Sequence, residues 1–593
     1  MNRALLNVER SISGRRWEAR LADSRLAEAI AQKHELPDIV SRVLAGRGVD
    51  IDQAENFLNP TLRSLMPQPS ALRDMEAGAE RLADAVMRGE TIGVISDYDV
   101  DGVASAAMLQ LFLRAVGSDC MVYIPHRVGE GYGPSQAAVS ELKTRGTQVL
   151  VTLDCGVKAH DPLAHAAELG LTTIIVDHHQ AAATLPRAFA VINPNRQDDV
   201  SGFGYLCAAG VTMILIAAIN KALRTRGHYS ERLPEPNMLQ WLELAALATV
   251  CDVVPLTGLN RAYVGQGLKI MGRRQNVGLA ALADVARLKR RPDPYALGFM
   301  LGPRLNAAGR VGHASLALRL LTTSERGEAM QIAQQLEQLN RERQAIELAV
   351  VDQAVMQAEA SLGASSQLKV LVVSGRGWHA GVVGLAAARL KERFNLPAFV
   401  LTEDHESRLV SGSGRSISGV DLGSAVRAAV EVGIVVKGGG HGMAAGLTLE
   451  LGRLGDLRGF LEERLGHQVA AAQDRALKID AAITAGGATL DLIELLEQAG
   501  PYGAGNPPPL FAFPAHRVVY ADAAGASHVR CTLVASDGTR IKAIAFRAMG
   551  TELGELLLSE RSFPVHVAGR LTVDEWSGTG VPSVHIEDAA AVL

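Results

Sequence analysis

Aromatic side chains are scarce, at 4% of 593 residues, so alanine, valine and leucine must fill most of the interior. Cysteine is scarce as well: five residues, at 120, 155, 207, 251 and 531, with no CxxC pair. An odd, dispersed set argues against a disulfide framework or a zinc knuckle and suits a reducing cytosol. The chain has almost no net charge, −4, so any nucleic-acid binding must come from local basic grooves. No apolar run of membrane length is present; the most apolar segment, Ala208 to Ile219, is too short to cross a bilayer. The first thirty residues are rich in Arg and Glu and show no signal peptide. These absences lead to an expectation of a soluble, cytoplasmic chain. At ~150 residues per domain, it should hold about four domains.

What is present is a rhythm of short β-rich runs and helical stretches from 73 to about 195. Strands are expected at 91–96, 120–124, 148–153, 172–176 and 189–192, with helices near 103–116, 135–145 and 158–169. Such alternation implies a parallel sheet covered on both faces, which binds ligands beyond its strand C-termini. A mostly helical region follows to about 310, including Trp241 to Thr249. The proline-free stretch 324–360, with Ile332, Leu336, Leu339, Ile346 and Val350 on one face, is either a core helix or a bridge between two lobes. A second α/β unit begins at strand 368–373, with another strand at 398–402. After Gly500-Pro501-Tyr502-Gly503-Ala504-Gly505-Asn506-Pro507, five short strands near 515–521, 528–535, 539–546, 564–571 and 582–587 fit a small closed barrel of the OB type.

Acids gather where the first sheet's strands end. Asp97, Asp99 and Asp101 follow the first run, Asp154 the third, and Asp177-His178-His179 the fourth; Asp252 ends a helical stretch and is a further candidate. Clustered carboxylates repel each other and need compensation, usually cations. One such acid alone is routinely a helix cap, and Asp101 before Gly102 would serve as one. The whole set reads instead as a binuclear centre. Oxygen donors with imidazole and no thiolate favour Mn²⁺ or Mg²⁺ over zinc. Two ions ~3.5–4 Å apart would share a carboxylate, activate a water and clamp a phosphoryl oxygen. Asp154, alone at its strand end, is the expected bridge, while Asp99 and Asp101 would serve one ion each. Asp97 would be a ligand or orient its loop. Cys155 and Cys251 adjoin candidate acids but are expected to be packing residues.

Arg376 and Arg415 lie in glycine-rich segments, expected as turns, where backbone amides can converge on an anion; His379 and His441 stand beside them. Arginine suits bidentate phosphate recognition. The two histidines fit a substrate site or a packed interior equally well. The run Arg287-Leu288-Lys289-Arg290-Arg291 is a solvated face or a DNA contact. In the barrel, Tyr502, Phe511, Phe513, Tyr520, Phe546 and Trp576 are candidate base-stacking rings, most of them destined for the core.

Asp99-x-Asp101-Gly102, Asp154-Cys155-Gly156, Asp177-His178-His179 and Cys251-Asp252 resemble the four motifs of the DHH phosphoesterases. Arg376 to Gly381 and Gly438-Gly439-Gly440-His441-Gly442 resemble the associated DHHA1 domain. Three further segments resemble the bacterial single-strand-specific exonucleases of that superfamily: Ile124-Pro125-His126-Arg127 followed by Gly131-Tyr132-Gly133, Gly302 to Arg310, and Pro501-Tyr502-Gly503-x-Gly505-Asn506. The similarity runs from ~73 to the C-terminus.

By position, the resemblance implies that Asp99, Asp101, Asp154, His178 and Asp252 hold two divalent ions, with Asp97 in the same motif. It implies that His179 lies beside the scissile phosphate, and that Arg127, Arg304, Arg415 and His441 grip substrate phosphates. Asn306, Arg310, Arg376, His379 and Ser416 join that substrate set. The implied architecture is a parallel-sheet DHH domain (73–265), a helical region with a long connecting helix (266–362) and a smaller α/β DHHA1 domain (363–467). An OB-fold domain (468–593) follows, and 1–72 is an N-terminal region of unassigned role. The two central domains would face each other across a cleft that the barrel helps close into a channel.

The implied activity is 5′-to-3′ digestion of single-stranded DNA to mononucleotides, in repair and recombination, with a single-strand-binding protein and a helicase as partners. A phosphodiesterase for short oligonucleotides or cyclic dinucleotides would resemble the two central domains alone. An inactive DNA-binding scaffold would have lost motif carboxylates, and none is missing here.

Overall fold

Five short strands rich in β-branched residues build the sheet that carries the acids. The computed structural model describes residues 4–127, 129–364, 367–473, 476–559, 563–574 and 580–592. The strands run parallel in the order Cys120–Tyr123, Ile92–Ser96, Val149–Leu153, Thr172–Val176 and Ala190–Ile192. Helices Val100–Ala115, Gln136–Thr144 and His160–Glu168 connect them. Ile92–Ser96 and Val149–Leu153 are buried along their whole length, as a sheet covered on both faces requires. The expected parallel α/β sheet is therefore present.

Register decides the site. Ser96 pairs with Leu153, Leu153 with Val176, and Val176 with Ile192. The next residue of each strand is Asp97, Asp154, Asp177 or Asn193, so these four stand in one row at the strand C-termini. The ladder continues through them: the amides of Asp97, Asp154 and Asp177 donate to the carbonyls of Leu153, Val176 and Ile192 at 3.2, 2.9 and 3.1 Å.

Two units compose the chain. One contains Met66–Val254 and Tyr263–Gln473; the other contains Met1–Leu65, Pro255–Ala262 and Asp474–Leu593. In the first, helix Ala208–Thr225 is longer than the apolar segment seen in the sequence. It is the one helix among the described residues long and apolar enough to cross a membrane, and 78% of it is buried inside. The 39-residue helix Arg326–Ala364, about 58 Å at 1.5 Å per residue, connects the first sheet's domain to a second sheet. Midway along it, Arg343 donates to Asn340 at 2.6 Å and pairs with Glu347, which also receives Arg389 at 3.1 Å. A bridge, rather than a simple core helix, is what this sequence forms.

The second sheet has the order Lys437–His441, Ala444–Glu450, Leu409–Arg415, Ala398–Asp404 and Leu371–Arg376, with only the last pair parallel. Of the glycine-rich segments expected as turns, the one that follows Arg376 is a turn, whereas those ending at Arg415 and His441 are strands. Glycine weakens a strand unless another backbone comes close, and that is the case. A Cβ at Gly412 would sit 2.3 Å from the Val400 carbonyl, and one at Gly414 would sit 2.5 Å from the Phe399 ring.

In the other unit, Phe511–Ala524, His528–Val534, Arg540–Ala545, Val581–Ala591 and Val565–Asp574 pair in sequence, and the last closes onto Phe511–Phe513. The expected five-stranded barrel is thus present. Residues 17–58 pack on it, with Ile30, Val43 and Leu44 sharing one core with Phe511, Phe513 and Leu533. Phe511 and Phe513 are fully buried, and Tyr502 is half-buried, whereas Tyr520 and Phe546 are exposed. Trp576 lies outside the described residues.

Candidate metal centre and phosphate cradle

Asp99, not Asp101, caps the helix Val100–Ala115. Its Oδ1 accepts the amides of Asp101 and Gly102 at 2.9 and 3.2 Å. The tight turn needs Gly102, because a Cβ there would lie 2.5 Å from the Asp97 carbonyl oxygen. Asp101 is instead fixed from outside the motif. Its two oxygens accept the amides of Ala208 and Ala209 at 2.7 and 2.8 Å, at the N-terminus of the buried helix Ala208–Thr225. Orphan amides at a helix start favour a carboxylate.

His178 lies among the acids, its Nε2 at 3.3 Å from Asp154, 3.7 Å from Asp252 and 3.8 Å from Asp101. Ligand-capable atoms of Asp101, His178 and Asp252 lie within 4.8 Å of one another, as do those of Asp97, Asp99 and Asp154 and those of Asp154, His178 and His179. Asp154 occurs in two of these groups, and its backbone has φ 61°, an uncommon value for a residue other than glycine. Burial first, and then the neighbouring acids, push the carboxyls of Asp97, Asp154 and Asp252 well above the usual range and raise Asp101 too. Asp97 Oδ1, Asp154 Oδ1 and Asp252 Oδ2 are buried with no hydrogen-bond partner among the described residues. Buried polar atoms rarely stay unsatisfied. An oxygen-and-imidazole donor set with three idle carboxylate oxygens fits divalent cations.

Asp177 plays a different part. Its oxygens accept the amides of Val157, His178 and His179 at 3.0, 2.8 and 3.1 Å, and Oδ1 lies 2.7 Å from His179 Nδ1. Burial alone would raise this carboxyl, but the His179 bond and the amides bring it down to about 2. Burial likewise works against charge on His179, yet Asp177 raises its pKa. With Nδ1 turned to Asp177, His179 has only Nε2 left for an ion or a phosphate, and its ring borders the cluster. Tyr132 completes the wall, donating to the Asp154 carbonyl at 2.8 Å and touching His179 Nδ1 at 3.3 Å. Asn193 and Asn195 donate to the carbonyls of His179 and His178 at 2.9 and 2.6 Å. Tyr132, Asn193 and Asn195, and the orienting role of Asp177, were missed in the sequence. Asp177 and Asn193 were signalled by their strand-end positions and Tyr132 by its motif, but none of these signals gave a role.

Arginines face the acids. Arg127 lies over the Tyr98 ring, 4.8 Å from its centroid. Burial, Arg127 and Arg415 together lower Arg310 to about 10, against a pull from Asp99. Burial and Arg127 lower Arg415. Three half-buried guanidiniums that repel one another are a ready anion site. Arg310 donates to the Gly381 carbonyl at 2.9 Å, Gly381 donates to His379 Nδ1 at 3.0 Å, and Asn306 accepts the Val100 amide at 3.1 Å. His441 stacks beside His179.

Three candidates are placed otherwise. Arg304 is engaged by Glu337 and the Met300 carbonyl, both at 2.6 Å, and lines a cavity of about 830 Å³ with Arg287, Glu337 and Arg341. Ser416 is buried, its hydroxyl donating to the Val420 carbonyl at 2.8 Å. Arg376 is exposed at its strand end. The Cys155 and Cys251 thiols are raised by burial, as packing residues are.

Acids at the ends of a parallel sheet, a His-Asp pair and an opposing arginine set define a metal-dependent phosphoesterase of the DHH type. Known proteins agree. Residues 91–249 match the DHH family N-terminal domain, 367–467 the DHHA1 domain and 479–588 the RecJ OB domain. The chain is 37% identical over 491 residues to the single-stranded-DNA-specific exonuclease RecJ of Salmonella typhimurium, covering 80% of this chain and 83% of the relative. It is 30% identical over 584 residues to that of Bacillus subtilis, covering 97% and 71%. The structure of RecJ from Thermus thermophilus in complex with Mn²⁺ superposes with a TM-score of 0.78 at 27% identity, covering 95% of this chain and 77% of that one. The same protein in complex with Mg²⁺ gives 0.72 at 25% identity. The chain belongs to the RecJ family of single-stranded-DNA-specific exonucleases.

Proposed function

We propose that this chain is a single-stranded-DNA-specific exonuclease that hydrolyses phosphodiester bonds with two Mn²⁺ or Mg²⁺ ions. The observation that carries the reading is the opposition of idle, buried carboxylate oxygens on Asp97, Asp154 and Asp252 to the cationic group Arg127, Arg310 and Arg415. Asp99, Asp101, Asp154, His178 and Asp252 would hold the ions, with Asp97 at the edge of the set. When bound, such ions supply a strong nucleophile at neutral pH and stabilise charge on the phosphoryl oxygens.

The chain's own residues do the rest. Arg127, Arg310 and Arg415 grip the phosphate, and burial makes each contact stronger than it would be in water. His179, made more basic by Asp177, is placed to donate to a phosphoryl oxygen as charge develops there. His441 and His379 approach from the other lobe. Phosphate contacts carry no sequence information, so strand selection rests on shape, and affinity should fall steeply with salt. The exposed rings of Tyr520 and Phe546 in the barrel would add base stacking.

Kinship with the RecJ exonucleases supports attack from the 5′ end, release of mononucleotides, and a role in repair and recombination in the cytoplasm. A helicase that unwinds duplex, and a protein that coats the resulting strand, are the partners this reading implies. Incubation with 5′-labelled and 3′-labelled strands, with Mn²⁺ or with EDTA, is the test. Early release of the 5′ label as a mononucleotide, only with metal, is expected. Cleavage confined to dinucleotides or cyclic dinucleotides would overturn the reading, and so would binding without cleavage.

A further inference from the structure

Arg287-Leu288-Lys289-Arg290-Arg291 has no part in the cradle described above, and the residues that follow it hold a second oddity. Tyr295 and Phe299 are 56% and 71% exposed, and their rings stack on each other, with centroids 5.1 Å apart and planes 22° from parallel. In a chain with only 4% aromatics, two adjacent rings left in water are better explained by a binding surface than by packing. Tyr295 caps and Phe299 lies within a π-helical turn, Ala296–Leu301, an uncommon element found often at functional sites. Its other side is buried through Ala296, Leu297 and Leu301.

This turn is anchored beside the acid cluster. The Cys251 thiol donates to the Leu297 carbonyl at 3.6 Å, and a Cβ on Gly302 would lie 2.4 Å from Cys251 Sγ. Cys251 immediately precedes Asp252. By chain reach, Tyr295 and Phe299 each lie within about 20 Å of Asp252, and Arg291 within about 14 Å of Tyr295. Lys289, Arg290 and Arg291 are exposed.

We infer that Tyr295 and Phe299, with Lys289 and Arg291, form a base-stacking platform that holds the single strand several nucleotides from the phosphate being cut. The inference rests on the proposed exonuclease function and extends it to a site outside the cradle. Nearly parallel rings present a flat π face, which matches a planar base of any sequence, and cations beside them match the phosphates. The platform would make affinity depend on strand length: short strands use the cradle alone, and longer ones use both.

The test compares strands of about 4 and about 20 nucleotides. For Tyr295→Ala/Phe299→Ala, affinity for the longer strand, measured by anisotropy in EDTA, should fall about tenfold or more. Cleavage of the shorter strand with Mn²⁺ should stay within about twofold of the parent. Tyr295→Phe and Phe299→Tyr should retain affinity. Lys289→Ala/Arg291→Ala should flatten the salt dependence of binding by about 1.4 in log–log slope. Unchanged affinity for the longer strand overturns the platform, as does an equal loss on both lengths, which would mean distortion at Asp252. Loss of binding to an acidic, apolar peptide with DNA affinity intact overturns it too. If the parent enzyme cleaves neither strand, the exonuclease reading itself has failed, a distinct result.

Discussion

The rings of His179 and His441 stack 5.9 Å apart and 28° from parallel, one from the acid-bearing sheet and the other from the glycine-rich sheet beyond the connecting helix. Their pKa values move in opposite directions. Asp177 raises His179 against the cost of burial, whereas burial, Lys158 and His179 itself lower His441. His179 is thus the more basic imidazole of the two. Two imidazoles pushed apart in this way divide donor and acceptor roles between them.

Asp177→Asn should therefore let His179 lose its proton at lower pH, moving the alkaline limb of the rate–pH profile downward. Asp177 is held near 2, below the ordinary carboxylate value, so its stabilisation is present above pH ~4 and is lost as pH falls through 2. The variant should lose about 2 kcal/mol at neutral pH and much less near pH 2. Rate–pH profiles and urea denaturation at both pH values check this.

The raised acids predict the opposite slope for the metal-free enzyme. Asp97, Asp101, Asp154 and Asp252 hold protons in the folded state that an unfolded chain would release. Stability in EDTA should fall as pH rises above about 4, and saturating Mn²⁺ should reverse that trend. Asp154→Asn should raise the melting temperature in EDTA and reduce turnover at least about 100-fold. Scanning calorimetry from pH 5 to 8, with and without metal, decides it.

Arg310→Met removes a half-buried cation repelled by Arg127 and Arg415. The variant should be as stable as the parent or more so without DNA, while KM for single strands rises tenfold or more, roughly one charge-assisted contact. Arg415→Ala should likewise raise KM more than it lowers kcat. Steady-state kinetics beside thermal melts separate the two effects.

Glu243 is buried with an idle Oε2, and burial raises its carboxyl to about 7. A raised carboxyl costs stability in full only above that pH. Glu243→Leu should gain on the order of 2 kcal/mol at pH 8 and little at pH 5. Urea midpoints at the two pH values provide the measurement.

Much of the acid cluster was legible because a short apolar run ending in an acid is a local pattern, and parallel register aligns such ends. What holds the acids was not legible. Asp101 takes its amide partners from Ala208 and Ala209, more than a hundred residues away, and no local pattern announces that. The glycine strands misled for a related reason. Glycine reads as a turn locally, and only the approach of the Val400 carbonyl to Gly412 shows why the strand needs it. Arg304 and Arg310 share one motif six residues apart, yet only Arg310 reaches the cradle; Glu337, on the connecting helix, claims the other.

The short stretch Pro255–Ala262 leaves the catalytic part of the sequence and folds with the barrel unit, which has a consequence for the order of assembly. Arg261 is almost wholly buried there, donating to the carbonyls of Phe57, Ala499 and Gly500. Two of those acceptors leave the ribosome some 240 residues after it does. Until then this guanidinium has no interior to occupy, so a protein shortened after Gln473 would be born with a stranded cation immediately downstream of Asp252.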